Sequence, residues 1–184
     1  MRIAYQGMAG AFSHEAALAF AADCEALAEA TFADVVEAVL SGIAERGILP
    51  MANSAAGPVP GNRELLDDWR LSIIKTQPLL VRMHLLALPG VVIEEVRTVV
   101  SHPMALAQCA SNLKGLGVAT EEASNTAVAA AELVQCDRAV LASEAAARVY
   151  GLDIVRRNLH DQNDNFTIFS IFERRAGLER RVDR

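Results

Sequence analysis

Residues 163–172, NDNFTIFSIF, decide the fold that we predict for this chain. The stretch opens with small polar residues and continues with apolar residues around Thr167 and Ser170. This pattern is typical of a chain that enters a buried strand from a polar loop. Thr167 is either only the residue at which that strand begins, or its hydroxyl faces a ligand. The periodicity alone leaves both interpretations open.

The composition excludes several classes of function. The chain has 17 Lys and Arg residues against 23 Asp and Glu residues, a net charge of −6, so we expect no nucleic-acid partner, which would require a basic face. No apolar run approaches the roughly 20 residues that a bilayer requires, so we expect no membrane partner. The three cysteines, Cys24, Cys109 and Cys136, are widely spaced, and the start of the chain lacks a signal-peptide pattern. These features predict reduced thiols and a cytoplasmic location.

Outward from the first stretch, predicted strands alternate with predicted helices, as in an α/β protein. We expect strands at residues 2–5, 47–52, 96–100, 117–119 and 138–142, and helices at residues 13–22, 31–41, 62–68, 104–112, 125–133 and 144–149. Residues 71–88 form either two strands or one long strand, because Pro78 interrupts the pattern. The basic run at residues 173–184 is interpreted as a solvated tail, with a contact to a partner subunit as the alternative.

The order of these elements predicts two α/β subdomains with a cleft between them. The first subdomain comprises residues 1–78 and 159–184, and the second comprises residues 79–158. Ligands of open α/β sheets bind at the carboxyl ends of the strands, so the polar loops at those ends are candidate binding sites.

Several of these loops have polar residues that allow two interpretations. The glycine loop before the first helix, residues 10–13, is either an anion site at a helix N-terminus or simple turn chemistry. Asn53 and Ser54 either contact a ligand or only cap a helix, and Asn125 and Thr126 allow the same two interpretations. We also expect Ser101 and Ser143 to act as N-caps. His14 lacks a second histidine four residues later, and we expect no metal site.

Six blocks of the sequence together resemble the catalytic domain of the prephenate dehydratase family. In chain order they are YQGMAGAFSHEAA at residues 5–17, ILPMANSAAGPV at 48–59, SHPMALAQC at 101–109, NTAVAAA at 125–131, AVLASEAAARVYGLDIV at 139–155 and DQNDNFTIF at 161–169. The resemblance covers nearly the full chain and implies the two-subdomain α/β fold of a type II periplasmic binding protein. It implies conversion of prephenate to phenylpyruvate with loss of water and carbon dioxide, a step of phenylalanine biosynthesis.

The same resemblance implies the site residues, without a cofactor or a metal. Its catalytic residues match Thr167, Asn53, Ser101 and Gln108, and Thr167 is the residue expected closest to the leaving hydroxyl. Its substrate-binding positions match Gly10, Ala11, Phe12, Ser13, Ser54, Asn125, Thr126 and Phe169. The family also implies a small-molecule substrate and a homodimer, and its regulatory ACT domain is expected to be absent from this chain.

The chemistry suits neutral side chains. Prephenate is a dianion whose ring becomes aromatic as its leaving groups depart, so the enzyme has mainly to orient them and to supply a proton. Hydroxyl and carboxamide groups donate hydrogen bonds without placing a further negative charge beside that dianion.

Two positions depart from the family pattern. The Glu-Asn-Ser triplet of the family is Ala52-Asn53-Ser54 here, and its Thr-Arg-Phe motif is Thr167-Ile168-Phe169. We interpret this as the paired loss of an ion pair, since an unpaired buried charge would be costly. The departures leave alternatives open: a decarboxylase that does not aromatise prephenate, an arogenate dehydratase, or a binding protein for small acids without catalysis.

Overall fold

The computed structural model describes residues 1–161 and 164–176 of the chain. In chain order the elements are β1 (Arg2–Gln6), α1 (Phe12–Phe20), β2 (Glu25–Glu29), α2 (Phe32–Leu40), β3 (Arg46–Asn53), β4 (Gly57–Pro58), α3 (Asn62–Leu66), β5 (Leu71–Leu80), β6 (His84–Ala87), a 3-10 turn (Ile93–Glu95), β7 (Thr98–Ser101), α4 (Pro103–Gln108), α5 (Ala110–Leu116), β8 (Ala119–Glu122), α6 (Thr126–Ala131), β9 (Arg138–Ala142), α7 (Glu144–Tyr150), β10 (Asp153–Arg156) and β11 (Phe166–Arg174). Among these described residues, no helix combines the length and the hydropathy needed to span a bilayer.

The first compact unit contains residues 1–7, 16–79 and 167–176. Its sheet has the strand order β2-β1-β3-β11-β5, with the short β4 paired to β3. Strands β2, β1 and β3 are parallel, and β11 runs antiparallel to β3. One face packs on α2, where Leu49 and Phe172 join a buried cluster, and the other face packs on α1 through Ile48 and Phe169.

The helix α2 shows how local sequence fixes an element of this unit. Thr31 accepts a hydrogen bond from the backbone of Asp34, whose carboxylate accepts one from the backbone of Thr31. This reciprocal arrangement is a capping box, and it satisfies two backbone N–H groups at the start of the helix. The buried valines that follow lie on one face of the helix and fill the core beside β1 and β3.

The second compact unit contains residues 8–15, 80–161 and 164–166. Its sheet has the strand order β10-β6-β9-β7-β8, in which β7 is parallel to both β8 and β9. Strand β6 is antiparallel to β9 and to β10. A buried cluster around Leu85 and Leu141 packs on the helices α4 and α5, and a second one around Leu86 and Val140 packs on α6 and α7.

This division differs from the predicted subdomains in two segments. Residues 8–15 join the second unit, where the carbonyl oxygen of Gly10 accepts a hydrogen bond from Ser143 at 2.7 Å. Residues 159–161 also stay in the second unit, since Leu159 N donates to Met83 O at 2.8 Å. The chain returns to the first unit at Thr167 and not at residue 159.

Most predicted elements are present, and the exceptions have physical causes. Residues 71–88 form two strands, and Pro78 lies inside β5, where an edge position tolerates a missing N–H donor. The single helix predicted at residues 104–112 is two helices that meet at Cys109. The strand predicted at residues 117–119 begins at Ala119, because Gly117 ends α5 in the left-handed conformation with φ 68°. Residues 177–184 of the predicted tail lie outside the described residues.

Gly47 in β3 lies directly opposite Phe172 in β11. A Cβ atom at residue 47 would overlap the ring of Phe172, which is fully buried. Close packing of β3 against this ring therefore requires glycine, because a buried aromatic ring has little room to move.

We expect Gly47→Ala to lower the free energy of unfolding by about 1–3 kcal/mol through overpacking, measured by urea denaturation. Gly115→Ala is the matched control. Gly115 lies in α5 with open space at its Cβ position, so the same change there should raise stability by about 0.5–1 kcal/mol. Equal effects of the two substitutions would contradict this account of Gly47.

Candidate active site

Asn53 and Thr167 form the central pair of the candidate site. Asn53 ends β3, Thr167 is the second residue of β11, and the antiparallel register places them directly opposite each other. The Nδ2 group of Asn53 donates a hydrogen bond to Oγ1 of Thr167 at 3.0 Å. The predicted position of Thr167 at the start of a strand is therefore confirmed, and its hydroxyl contacts a predicted site residue from a distant part of the sequence.

Local hydrogen bonds fix the direction of this contact. The Oδ1 atom of Asn53 accepts from the backbone N–H groups of Ala55 and Ala56, both at 2.9 Å. The carboxamide must then direct its NH2 group toward Thr167. Because Thr167 accepts this bond, its own proton remains available, and no described residue accepts it. Donation to a hydroxyl oxygen also polarises the O–H bond and makes it a stronger donor.

The two positions that depart from the family pattern are direct neighbours. Ile168 pairs with Ala52 across the same β3–β11 ladder, and both side chains are half-buried. Side chains directly opposite each other in an antiparallel pair have Cβ atoms about 4.5–5.5 Å apart, close enough for an ion pair between longer residues. An apolar pair therefore stands here where the family pattern has a carboxylate and a guanidinium.

Ser101 and Gln108 flank the start and the end of α4 in the second unit. Ser101 is fully buried, and its hydroxyl donates to the carbonyl oxygen of Leu141 at 2.7 Å, which ties β7 to β9. That bond uses the only proton of the hydroxyl. The N-cap of α4 is His102, not Ser101, because Nδ1 of His102 accepts from the backbone of Met104.

Gln108 is half-buried, and its side-chain carboxamide forms a hydrogen bond with Asn165, which the sequence analysis did not select. Nδ2 of Asn165 donates to Oε1 of Gln108 at 3.0 Å. The backbone carbonyl of Gln108 accepts from Asp161 N at 2.8 Å. The Nε2 protons of Gln108 have no acceptor among the described residues.

Two hydrogen bonds hold the glycine loop before α1, one from the N-cap of α7 and one from the last residue of α7. Ser143 donates to Gly10 O at 2.7 Å, and Tyr150 donates to Ala9 O at 2.7 Å. A Cβ atom on Gly10, whose φ is 86°, would lie 2.8 Å from the backbone of Ala146. Sequence reasoning assigned Ser143 only its role as an N-cap, which is confirmed, and gave Tyr150 no role.

The remaining predicted binding residues differ in how accessible their polar groups are. In the glycine loop, Gly10 N donates to His14 and Ala11 N donates to Met8 O, so these two amides are already occupied. Asn125 caps α6 by accepting from Ala127 N at 2.7 Å, as predicted, and Thr126 is the first residue of that helix. The structure places the other members of the predicted set as follows: Phe12 packs against the core of the second unit, Ser13 is 9% exposed, Ser54 is exposed, and Phe169 is 2% exposed in the core of the first unit.

Burial shifts the protonation of several groups in the second unit. Burial, followed by the nearby Asp161, raises the pKa of Cys109 to about 12, so the thiol beside Gln108 stays protonated at neutral pH. Burial, followed by the charge of Glu144, raises the pKa of Glu15. Burial lowers the pKa of His14, which keeps its ring neutral and able to accept the bond from Gly10.

The second unit also contains a cavity of about 370 Å³ beside α6. Apolar side chains such as Val100 and Val140 line it, together with the carboxylates of Glu121, Glu122 and Glu132. None of the predicted site residues is among its described lining residues.

Comparisons with known proteins first establish the class of fold. A prephenate dehydratase from Arthrobacter aurescens, solved in complex with L-Phe, superposes with a TM-score of 0.86 at 24% identity, covering 98% of this chain and 63% of that one. A protein described as GqqA, a novel type of quorum quenching acylase, superposes with a TM-score of 0.89 at 35% identity, covering 95% of this chain and 64% of that one. The predicted α/β fold class is therefore confirmed.

The sequence comparisons then identify the family. The prephenate dehydratase profile matches residues 3–177, so the chain belongs to the prephenate dehydratase family. It is 42% identical to arogenate dehydratase/prephenate dehydratase 2 of Arabidopsis thaliana, over 95% of this chain and 46% of that protein. It is 41% identical to arogenate dehydratase 2 of Petunia hybrida, over 95% of this chain and 45% of that protein. The chain spans about half the length of these curated relatives.

These relatives also correct one prediction. Several of them, among them the Arabidopsis proteins that are 42% and 37% identical, are named as chloroplastic. The prediction of a cytoplasmic location is therefore wrong on this comparison. Reduced cysteines and a weakly acidic composition do not distinguish the cytoplasm from other reducing compartments.

A double-mutant cycle tests the interpretation of Ala52 and Ile168. We expect Ile168→Arg alone to lower the free energy of unfolding by about 1 kcal/mol or more, because it places an unpaired cation at a half-buried position. Adding Ala52→Glu should recover about 0.5–1 kcal/mol through a cross-strand pair, measured by urea denaturation.

The reference cycle uses the same two strands. Arg46 and Glu173 are opposite each other in β3 and β11, with Nε and Oε2 at 3.3 Å, so replacing each by alanine measures what an existing pair contributes. A coupling energy near zero at residues 52 and 168, with a measurable one at residues 46 and 173, would show that the first two positions do not form an ion pair.

Proposed function

We propose that this chain is a lyase that converts prephenate to phenylpyruvate, with loss of water and carbon dioxide, and so serves phenylalanine biosynthesis. The hydrogen bond from Asn53 to Thr167 is the observation that supports this proposal most directly. It leaves a hydroxyl whose oxygen is occupied and whose proton is available, beside side chains that carry no charge. A group of this kind can protonate a leaving hydroxyl without repelling a dianion.

The reaction balances without an external oxidant, reductant or cofactor. The bond between the ring and its carboxylate breaks and releases carbon dioxide, and the electron pair moves through the ring. As this pair reaches the ring carbons next to C4, the bond between C4 and its hydroxyl breaks and its electron pair leaves with the oxygen. That oxygen takes up one proton, supplied in net by solvent, and leaves as water. Thr167 donates the hydrogen bond to that oxygen as negative charge develops on it, which stabilises the transition state more than the ground state.

Within this proposal, the other predicted residues have separate roles. Gln108, in the second unit, has a neutral hydrogen-bond donor in Nε2. Ser101 ties β7 to β9 next to the start of α4, because its proton is already bound by Leu141 O. Phe169 lies in the same strand as Thr167 and anchors that strand in the core of the first unit. Backbone N–H groups near Ser13 and Thr126 would bind substrate carboxylates, each contributing about 0.3–1 kcal/mol.

Arogenate is the second candidate substrate. The names of the curated relatives include both arogenate dehydratase and prephenate dehydratase, which supports testing both compounds. The two substrates differ in the side chain, which has a keto group in prephenate and an amino group in arogenate. The elimination at the ring is the same for both, so Thr167 would have the same role.

We expect Thr167→Val to lower kcat by about 100-fold or more, because the isosteric side chain cannot donate a proton. Thr167→Ser should retain turnover within about tenfold. Thr76→Val is the matched control. It removes a hydroxyl from β5 of the same sheet, which forms a hydrogen bond with Ser170 at 3.2 Å, and it should change kcat less than twofold. Unchanged turnover by Thr167→Val would disprove this role for Thr167.

The assay follows carbon dioxide together with the aromatic product from each substrate, phenylpyruvate from prephenate and phenylalanine from arogenate. Formation of both products identifies a dehydratase and shows which substrate is preferred. Carbon dioxide without an aromatic product identifies the decarboxylase alternative. Saturable binding without any product identifies a binding protein, and either of these last two results would overturn the proposed function.

We also propose that the protein forms a homodimer, with the edge strand β5 of the first unit at the interface. Apolar side chains near this edge are exposed, notably Trp69 at 66% and Ile73 at 51%. An exposed strand edge with apolar residues is a site at which another chain can pair. Sedimentation of the native protein should show a dimer, and Ile73→Lys should shift it toward the monomer. A native protein that stays monomeric at all concentrations would contradict the proposal.

A further inference from the structure

Two residues that precede β11, Asp161 and Asn165, form hydrogen bonds with the helices α4 and α5. The carboxylate of Asp161 accepts from the backbone N–H groups of Ser111 and Asn112, at 3.0 Å and 3.2 Å, and so caps the first turn of α5. These bonds outweigh the opposing effect of burial and lower the pKa of Asp161. The backbone of Asp161 also donates to Gln108 O at 2.8 Å. The last residue of α4 is therefore held from outside its own helix.

Asn165 continues this arrangement to the side chain of Gln108. Asn165 is only 5% exposed, and its backbone carbonyl accepts from Val81 N at 2.9 Å, which ties it to the connection between β5 and β6. From there Nδ2 of Asn165 donates to Oε1 of Gln108 at 3.0 Å. The side chain of Asn165 is buried and that of Gln108 is half-buried, so Gln108 has the greater freedom to turn.

We propose that Asn165 is a positioning residue that decides which end of the Gln108 carboxamide faces a ligand. A carboxamide has an acceptor end and a donor end. Because Asn165 occupies the acceptor end, Gln108 presents Nε2 as a hydrogen-bond donor. This inference rests on the proposed function in one respect, namely that a donor at Gln108 assists an anionic substrate.

The isosteric substitution Asn165→Asp reverses the arrangement without changing the size of the side chain. An ionised aspartate can only accept a hydrogen bond, so Gln108 must turn its NH2 group toward residue 165 and present Oε1 instead. An oxygen acceptor repels an anionic substrate. At acidic pH the protonated aspartate donates again, and the native orientation returns.

The first experiment needs no catalysis. The side-chain NH2 signals of Gln108 are identified in a nitrogen-proton correlation spectrum by their loss in Gln108→Leu. We expect Asn165→Asp to shift these signals at neutral pH, and acidification to return them toward their native positions. Gln135→Glu, which adds the same charge at an exposed residue outside the proposed site, should leave them unchanged. Unchanged Gln108 signals in Asn165→Asp would overturn the proposal.

The second experiment measures turnover across pH. We expect Asn165→Asp to lower kcat about tenfold at neutral pH, and the ratio to the native kcat to recover toward one as the pH falls through the titration of residue 165. A deficit that is the same at every pH would show a purely structural defect and overturn the proposal. If Asn165→Asp does not fold, we follow the side-chain NH2 signals of Asn165 in Gln108→Leu instead. Loss of the hydrogen bond to Gln108 should shift these signals, and unchanged signals would also overturn the proposal.

The two experiments separate this inference from the proposed function. If native protein turns over neither prephenate nor arogenate, the proposed function fails, while the Gln108 signals still decide whether Asn165 orients that carboxamide. If Gln108→Leu turns over substrate like the native protein, Gln108 loses its proposed role, and the inference that its orientation affects turnover fails with it.

Discussion

The antiparallel pairing of β3 with β11 is the constraint on which the first unit and its candidate site depend. One register sets Thr167 opposite Asn53 and Ile168 opposite Ala52. The register shifts between Ile168 and Phe169, and beyond this irregularity the same two strands set Gly47 opposite the ring of Phe172. The packing of the core and the placement of the polar pair therefore depend on one pair of strands. A shift by one residue would turn Thr167 to the other face of the sheet and separate it from Asn53.

Hydrogen-bond direction, more than charge, organises the polar groups of both units. Asn53 directs its donor toward Thr167 because two backbone N–H groups occupy its oxygen. In the second unit, Asn165 donates to the side-chain oxygen of Gln108 and so leaves Nε2 of Gln108 as a donor. In each case one amide determines which atom of its neighbour remains available. An oriented neutral donor can attract an anion without the desolvation cost of a buried charge.

The sequence predicted the elements with strong local patterns and missed those whose cause is tertiary. Strand β1, the capped helix α2 and strand β9 follow from periodicity and from residues such as Thr31. Strand β2, with the sequence EALAE, contains good helix formers and exists because it pairs with β1. The break at Cys109 depends on Asp161, which lies about 50 residues away in the chain.

The candidate site shows the same limit. Thr167, Asn53 and Gln108 were found through the family pattern, which names residues but not the bonds between them. Asn165, Tyr150 and the bond from Ser143 to Gly10 needed coordinates, because sequence separations of 57 to 141 residues leave no periodic trace. The motifs that contain Ser101 and Phe169 are compatible with either a core position or a binding position. The sequence therefore did not predict that both residues are buried.

The return of the chain through β11 also sets the order in which the protein can be completed during synthesis. Residues 80–166 of the second unit are contiguous, so most of that unit emerges from the ribosome before Thr167 does. Thr167, the partner of Asn53 in β3, is synthesised 114 residues after Asn53. Until then β3 exposes an unpaired edge, and the polar pair does not exist. The polar pair of the first unit can therefore form only after most of the second unit has been synthesised.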